Sequence, residues 1–109
     1  MGVEETPVWA LSGPLEHHIS GCVAFAAWNY FCVTQDLEWL KSKGYPIISA
    51  VAEFWQSRVE LGKDGFYHIY NVVAADEWAE NVDDNAFTNA VAKESLRIAN
   101  AAAKRLGLP

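Results

Sequence analysis

Residues 19–33 are apolar on nearly every side of a helix, and this stretch constrains the fold of the chain most strongly. It reads Ile-Ser-Gly-Cys-Val-Ala-Phe-Ala-Ala-Trp-Asn-Tyr-Phe-Cys-Val, which leaves almost no polar face for solvent. Such a pattern predicts a helix that is buried on most of its faces. A chain of 109 residues offers a single core, and its other predicted helices leave few faces to cover this one.

The flanking segments predict a mainly α-helical chain. Residues 1–15 are expected to form an irregular lead-in, because Pro7, Gly13 and Pro14 break any periodicity. A short helix is expected over 36–42, with Thr34 as its cap and Gly44 as its end. Another helix is expected to begin at Pro46, where the missing N–H of proline costs nothing. Apolar residues then recur at helical spacing: Ile47, Ile48, Val51, Phe54, Trp55 and Val59.

The second half of the chain predicts a turn, an extended segment, an acidic loop and a helix. Lys63, Asp64 and Gly65 form the turn, and residues 66–73 are rich in the aromatic and β-branched residues of strands. The acidic loop covers 74–85. The last helix covers 86–106 and is stopped by Gly107 and Pro109. Its buried stripe is predicted to contain Phe87, Val91, Ile98 and Ala102.

Charge and cysteine content exclude several classes of function. The chain has 8 Lys and Arg against 14 Asp and Glu, and this acidity argues against nucleic acid as a partner. The acidic N-terminus does not resemble a signal peptide, and no apolar run is long enough to span a membrane. Cys22 and Cys32 would lie about 15 Å apart along one helix, too far to form a disulfide. We expect both to be small core residues.

The densest cluster of chemically active groups is the acidic loop, which has five carboxylates between residues 76 and 84 and no Lys or Arg. Crowding of like charges should raise the pKa of at least one carboxyl, and a carboxyl that stays protonated suits a general acid. Trp78 would add an apolar wall or a face for a sugar ring. On composition alone, a solvated loop before a helix is the favoured alternative. A calcium loop is a weaker one, since the spacing is not that of an EF-hand.

Histidines and tryptophans are the other candidate functional groups. Glu16, His17 and His18 could act as metal ligands or acid–base groups, but adjacent helical residues do not face one another, so we do not expect zinc. His68 is expected to be exposed. The tryptophans are expected mainly in helix packing, although such a supply of aromatic residues also suits a carbohydrate pocket; they include Trp28, Trp39, Trp55 and Trp78.

Residues 73–89 read Val-Ala-Ala-Asp-Glu-Trp-Ala-Glu-Asn-Val-Asp-Asp-Asn-Ala-Phe-Thr-Asn, and this stretch resembles the signature of glycoside hydrolase family 65. There a Gly-Pro-Asp-Glu-Tyr-like turn leads into a Glu-Asn-Val-Asp-Asn-Asn-Ala-Tyr-Thr-Asn-like segment. Residues 16–20 resemble the family's Glu-x-His motif, and residues 52–60 resemble its Phe-Trp-x-Ser-Arg-Val helix. Two departures stand out, because Ala74-Ala75 replaces Gly-Pro and Trp78 replaces Tyr. The first departure should alter substrate preference.

The resemblance implies that residues 16–109 are a fragment of a six-hairpin (α/α)6 barrel catalytic domain, with a short extended turn. It implies an inverting hydrolase or phosphorylase of α-glucosides such as trehalose, maltose, kojibiose or glucosylated hydroxylysine. Glu77 would be the general acid, and no metal or cofactor is implied. The implied substrate-binding residues are Glu16, His18, Asp76, Trp78 and Glu80.

The resemblance also shapes the expected partners. An α-glucoside disaccharide or glucosyl conjugate would be the substrate. Whether the complete enzyme uses inorganic phosphate as a co-substrate stays open. The compartment of the complete enzyme, cytoplasm or periplasm, also stays open. The isolated chain is expected to be inactive and to self-associate, because the helix over 19–33 lacks partners. Two alternatives from other classes stay open: a small acidic helical protein-interaction module without catalysis, and a metal-binding domain that uses His17 and His18.

Overall fold

The computed structural model describes residue 3 and residues 5–109. Its helices are α1 (Ser12–Leu15), α2 (His18–Thr34), α3 (Leu37–Trp39), α4 (Tyr45–Arg58) and α5 (Ala86–Arg105), with a π-helical segment over Leu40–Gly44. Strands β1 (Glu60–Leu61) and β2 (Tyr67–His68) form an antiparallel hairpin. The mainly helical character predicted from the sequence is confirmed. No helix in the described part of the chain is long and apolar enough to cross a membrane.

Helices α2, α4 and α5 pack against one another and form the core. Small residues bring α2 close to α5: a Cβ atom on Gly21 would lie only 2.1 Å from Cγ1 of Val91. One cluster of buried residues joins the three helices, namely Ala24, Ala27, Phe31, Leu40, Ile48, Ile98 and Ala102. A second cluster lies beneath the hairpin and the loop, namely Trp55, Ile69, Val72, Val91 and Ala92.

Helix α2 buries one face, not most of its faces as the sequence predicted. The buried face carries His18, Gly21, Ala24, Ala27 and Phe31. The opposite face is apolar and exposed: Ile19, Val23, Tyr30 and Val33 are 56%, 51%, 48% and 85% exposed. The prediction of core cysteines is also wrong, because Cys22 and Cys32 lie exposed, although they are unpaired as expected. Within the described residues α2 has α4 and α5 on one side and no helix covering the other.

The short helix after α2 begins differently from the prediction. Asp36, rather than Thr34, caps α3, since its Oδ1 accepts a hydrogen bond of 2.9 Å from the backbone N–H of Trp39. The hydroxyl of Thr34 instead donates to the carbonyl oxygen of Tyr30 at 3.0 Å. That hydroxyl also accepts from the N–H of Asp36 at 3.3 Å, one residue before α3, so the side chain of Asp36 is the one placed to cap the helix.

Gly44 does not end that helix, because the chain continues through the π-helical turn into α4. Pro46 lacks the N–H that a regular α-helix would use at this position. The backbone N–H of Tyr45 donates to Leu40, and this wider turn accommodates the proline within a continuous helical path. Val59 lies beyond α4 with extended dihedral angles, φ −76° and ψ 145°.

Helix α5 lies close to its predicted bounds. Asn85 caps it, with Oδ1 accepting from the backbone N–H of Thr88 at 3.0 Å. The predicted stripe is confirmed for Val91, Ile98 and Ala102, which are 5% exposed or less, but Phe87 is 47% exposed. The neighbouring residue Thr88 is buried instead. The first turn of α5, which Asn85 caps, thus presents Thr88 rather than Phe87 to the core.

Between α4 and α5 the chain forms the predicted turn and loop. The turn at 63–65 is confirmed, and Gly65 has the positive φ of 84° that glycine tolerates. Only Tyr67–His68 of the predicted extended segment is a strand, and its partner β1 was not predicted. Residues 74–85 form an irregular loop, as expected. The lead-in is less irregular than predicted, because it includes the helical turn α1; Met1, Gly2 and Glu4 lie outside the described residues.

Candidate functional site

The acidic loop presents Glu77 and Trp78 at the tip of a tight turn. Ala74 donates its N–H to the carbonyl oxygen of Ala79 at 3.2 Å, and Ala79 donates to that of Asp76 at 2.8 Å. The Oδ1 atom of Asp76 accepts from the N–H of Trp78 at 3.1 Å. Asp76 therefore shapes the turn through one carboxylate oxygen, while the indole of Trp78 is 95% exposed.

Backbone pairing brings this loop to the start of α2. Val73 donates its N–H to the carbonyl oxygen of Leu15 at 3.1 Å, so the loop begins beside the kink between α1 and α2. Glu16 lies in that kink, close enough to Glu77 for that carboxyl group to raise its pKa. The structure thus brings together Glu16 and Glu77, which are 61 positions apart in the sequence.

His18, the first residue of α2, completes this group from the buried side. Its Nε2 lies 3.2 Å from Oε1 of Glu16, and the two side chains are 9% and 10% exposed. The ring packs edge-on against Phe87 of α5, with 5.1 Å between centroids. His18 therefore contacts Glu16 rather than solvent, and it anchors that carboxyl group against the helices.

The electrostatics of this group favour retention of a proton. Burial raises the pKa of Glu16, the negative charge of Glu77 and the hydrogen bond to it raise it further, and His18 opposes these effects. These effects disfavour the charged form of Glu16, so its carboxyl group keeps a proton to a higher pH than an ordinary glutamate. Glu16 can therefore hold a proton close to Glu77, which lines an open cavity.

That cavity has a volume of about 300 Å³ and lies on the outer side of Glu77. This volume is at the lower end of the range for small-molecule sites, about 300–1,000 Å³. It is lined by Trp9, Ala10, Leu11, Ser12, Glu77, Trp78 and Glu80. Trp9 is 80% exposed, so two accessible indoles flank the carboxylates. Flat apolar faces beside carboxylates suit the stacking and hydrogen bonding of a sugar.

Sequence reasoning missed the contribution of residues 9–12 to this cavity. They lie in the lead-in, and the N–H of Ala10 donates to the carbonyl oxygen of Pro7 at 2.8 Å, which turns the chain toward the loop. A tryptophan beside a proline turn was the available signal. Of the predicted site residues, Glu77, Trp78 and Glu80 line the cavity, Glu16 and His18 lie behind it, and Asp76 holds the turn.

His17 and His18 have separate partners. The Nδ1 atom of His17 accepts from Nε of Arg58 at 3.3 Å, and its Nε2 lies 2.8 Å from the carbonyl oxygen of Pro14. Burial lowers the pKa of His17, and Arg58 lowers it further, against the effect of Pro14. Within residue 3 and residues 5–109 no group of three or more His, Cys, Asp or Glu side chains is arranged to hold a metal ion.

Crowding of like charges predicted a raised pKa in the acidic loop, but at the C-terminal end of the loop the shift has the opposite direction. The pKa of Asp84 is lowered, chiefly because His68 donates a hydrogen bond to its carboxylate. His68 itself is not exposed as predicted, since its side chain is only 20% exposed. The sequence could not show this pairing, because β2 and the loop meet only through the fold of the hairpin.

Comparisons with known proteins find similar sequences over nearly the whole chain. The sequence profile of the glycosyl hydrolase family 65 central catalytic domain matches residues 3–109. A kojibiose hydrolase of Mucilaginibacter mallensis is 64% identical over 107 residues, which are 98% of this chain and 16% of that protein. A kojibiose phosphorylase of Thermoanaerobacter brockii is 41% identical, over 88% of this chain and 14% of that protein.

A eukaryotic relative is similar over the same region. The protein-glucosylgalactosylhydroxylysine glucosidase of Mus musculus is 42% identical over 99 residues, which are 89% of this chain and 14% of that protein. The chain therefore spans 14–16% of the length of these three relatives.

Proposed function

This chain belongs to glycoside hydrolase family 65, and from that premise we propose that it supplies the general-acid side of an active site that cleaves α-glucosides. The observation that carries the proposal is the position of Glu77 in an aromatic-lined cavity, near Glu16, whose pKa it raises. Hydrolysis and phosphorolysis both need an acid at this point, because each expels a sugar hydroxyl as the leaving group.

In the proposed mechanism Glu77 protonates the glycosidic oxygen as the bond from that oxygen to the anomeric carbon breaks. Glu16 and His18 keep the pair of carboxyl groups in place and help to retain the proton until that step. Trp78 and Trp9 stack on the sugar, and Glu80 accepts hydrogen bonds from its hydroxyls. Inversion then requires water or phosphate to attack from the opposite face of the ring.

We further propose that residues 16–109 form part of an (α/α)6 barrel, preceded by the lead-in 1–15. Support comes from the exposed apolar face of α2, which is opposite the face that packs on α4 and α5. In a double ring of helices, each inner helix has neighbours on several sides, and its apolar residues therefore extend around most of its surface.

Kojibiose is the disaccharide that we propose as the first substrate to test. Relatives named kojibiose hydrolase share 64% and 60% identity with this chain, and a relative named kojibiose phosphorylase shares 41%. The replacement of Gly-Pro by Ala74-Ala75 changes the backbone that orients Glu77. We expect this change to alter the preference of the enzyme between related α-glucosides.

The test uses a chimera in which this chain replaces the matching segment of the Mucilaginibacter mallensis kojibiose hydrolase. The chimera should hydrolyse kojibiose, and Glu77→Gln should lower kcat by about 10²–10⁴-fold, the usual range for a general acid. Activated substrates with good leaving groups should lose much less, because they need little protonation. Glu94→Gln on the exposed surface of α5 is the matched control. Equal activity of the Glu77→Gln variant and its parent on kojibiose would end the proposal.

A second candidate function is supported by the exposed apolar face of α2. Four large apolar residues on that face are 48–85% exposed, and contiguous apolar surface of this kind is typical of protein interfaces. The chain would then be an acidic helical interaction module, with the loop as a solubilising segment. NMR titration of the carboxyl groups separates the two candidates, since only the catalytic one requires a carboxyl group that keeps its proton beside the cavity.

A further inference from the structure

His68 lies at the end of β2, with its imidazole ring held between two aspartates. Its Nδ1 lies 2.6 Å from Oδ2 of Asp84, and its Nε2 lies 3.0 Å from both carboxylate oxygens of Asp64. Ionised carboxylates only accept hydrogen bonds, so both ring nitrogens must carry a proton. The arrangement therefore requires an imidazolium cation. We call Asp64, His68 and Asp84 the His68 cluster.

The ring of His68 has close neighbours in Gly62 and Tyr70. A Cβ atom on Gly62 would lie 2.6 Å from Cδ2 and 2.7 Å from Nε2 of His68, so a side chain there would displace the ring. The ring of Tyr70 stacks on His68, with 5.5 Å between centroids and 14° between planes. Since the side chain is 20% exposed, the imidazole is fixed in one orientation toward its two carboxylates.

Asp84 connects the His68 cluster to the acidic loop. Its Oδ1 accepts from the N–H of Ile69 at 3.0 Å, and its own N–H donates to the carbonyl oxygen of Ile69 at 2.8 Å. Asp84 has a positive φ of 47°, a conformation that a non-glycine residue keeps only when its surroundings hold it. The next residue, Asn85, caps α5, so this contact anchors the C-terminal end of the loop.

We propose that His68 is a positioning residue, which as an imidazolium cation holds Asp84 and thereby the loop over 74–85 in place, and which weakens this contact when it loses a proton. The loop carries Glu77, so the consequence for catalysis rests on the proposed function. The holding of the loop itself does not depend on that function. Beside the His68 cluster, Val72 pairs with Val82, and the N–H of Asn71 donates to Asp83 at 2.9 Å. The loop has a second anchor at its other end, where Val73 pairs with Leu15, and deprotonation should therefore loosen one end rather than unfold the loop.

The charged neighbours of His68 determine the pH range over which the loop is held. Asp84 and then Asp64 raise the pKa of His68 by hydrogen bonding, and His68 lowers the pKa values of both aspartates. The phenol of Tyr70 also faces the ring. Burial raises the pKa of this phenol, and nearby negative charges raise it further, namely those of Asp84, Glu60, Asp64 and Asp83. The ionised groups that act on the imidazole and on this phenol in the described part of the chain are therefore acidic.

The sign of each shift gives the limits of that range. For His68 the pKa is raised on folding, so its stabilising contribution is complete below the ordinary value of about 6.5 and is lost as the pH rises through the folded value. For Asp64 and Asp84 the pKa is lowered, so their contribution is complete above about 3.9 and is lost as the pH falls through the folded values. We expect the loop to be held between the lowered pKa values of the two aspartates and the raised pKa of His68, and to loosen as the pH rises above the latter.

The test is an NMR titration of this chain, which follows the imidazole carbon of His68 and the backbone amides of Glu77, Trp78 and Asp84. The amides should shift with the same midpoint as the ring, and that midpoint should exceed the ordinary histidine value. Asp64→Asn removes one carboxylate without altering the loop, so it should lower both midpoints together. His68→Gln should abolish the transition in the loop amides.

Glu94→Gln, an exposed carboxylate paired with Arg97 on α5, is the matched control and should leave both midpoints unchanged. Loop amides that do not follow His68, or midpoints that Asp64→Asn leaves unchanged, would overturn the proposal. If His68→Gln does not fold, the Asp64→Asn variant still decides. Because the measurement reads loop position and not turnover, it can fail while Glu77 remains the acid, and it can succeed while Glu77 proves dispensable.

Discussion

Replacement of Gly21 by alanine tests the close packing of α2 on α5 that positions His18 beside Phe87. A Cβ atom at Gly21 would lie 2.1 Å from Cγ1 of Val91 and 3.2 Å from Oγ of Ser95. The first distance is far below van der Waals contact. Both neighbours are buried, at 5% and 0% exposure, so the new methyl group can be accommodated only if the helices separate or Val91 changes its rotamer.

The magnitude follows from two opposing effects. Overpacking of a buried site costs about 1–3 kcal/mol. The distance of 2.1 Å between the new Cβ atom and Cγ1 of Val91 favours the upper end of that range. Alanine gains about 1 kcal/mol over glycine in a helix. We therefore expect Gly21→Ala to lower the free energy of unfolding by about 1–2 kcal/mol. In a Val91→Ala background the clash is absent, and the same substitution should stabilise the protein by up to about 1 kcal/mol.

The assay is urea unfolding of the four proteins of this double-mutant cycle, followed by circular dichroism at low protein concentration. Ala26→Gly on the exposed face of α2 is the matched control, because it measures the propensity effect without a packing change; we expect a loss of about 1 kcal/mol. Two results would refute the reasoning: a Gly21→Ala variant as stable as its parent, or a cycle without coupling between positions 21 and 91.

Two further predictions concern the surface of α2 and the carboxyl group of Glu16. Val23→Lys places a charge on the exposed apolar face of α2 and should reduce self-association, measured by sedimentation velocity. Ala50→Lys, at an exposed position of α4, is the control and should not reduce it. Equal self-association of the two variants would contradict this prediction. Burial and Glu77 raise the pKa of Glu16, so its contribution to stability is complete below the unfolded value and is lost as the pH rises through the folded one. Glu16→Gln stays neutral and should therefore raise the free energy of unfolding at neutral pH, measured by urea unfolding; a less stable variant at that pH would contradict the assignment.

Local patterns predicted the long helices and the loop well. The bounds of α2 and α5 differ from expectation by about one residue, because apolar periodicity, an asparagine cap and a terminal glycine act over a few neighbouring residues. The error at Gly44 has a different origin. A glycine followed by Pro46 is typical of a helix boundary, but the chain there also packs Trp39 against Gly44, and this contact favours a continuous path through the π-helical turn.

The candidate site shows the same division. The motif around residues 73–89 identified the residues from Asp76 to Glu80, because their order in the sequence carries the resemblance. Neither periodicity nor composition could pair Glu16 with Glu77, place Trp9 beside Trp78, or bring His68 to Asp84. Each of these contacts joins residues 16 to 69 positions apart, and no local signal specifies them.

The amino-acid order is sufficient to establish which segments are helical, where the acidic loop lies and to which family the chain belongs, since all three depend on neighbouring residues. Which carboxyl group is buried, which face of α2 remains uncovered and how the loop is anchored depend on the packing of α2, α4 and α5. Desolvation and hydrogen bonding act over a few ångströms of space. Residues that are distant in the chain exert these effects on one another only after the helices have brought them together.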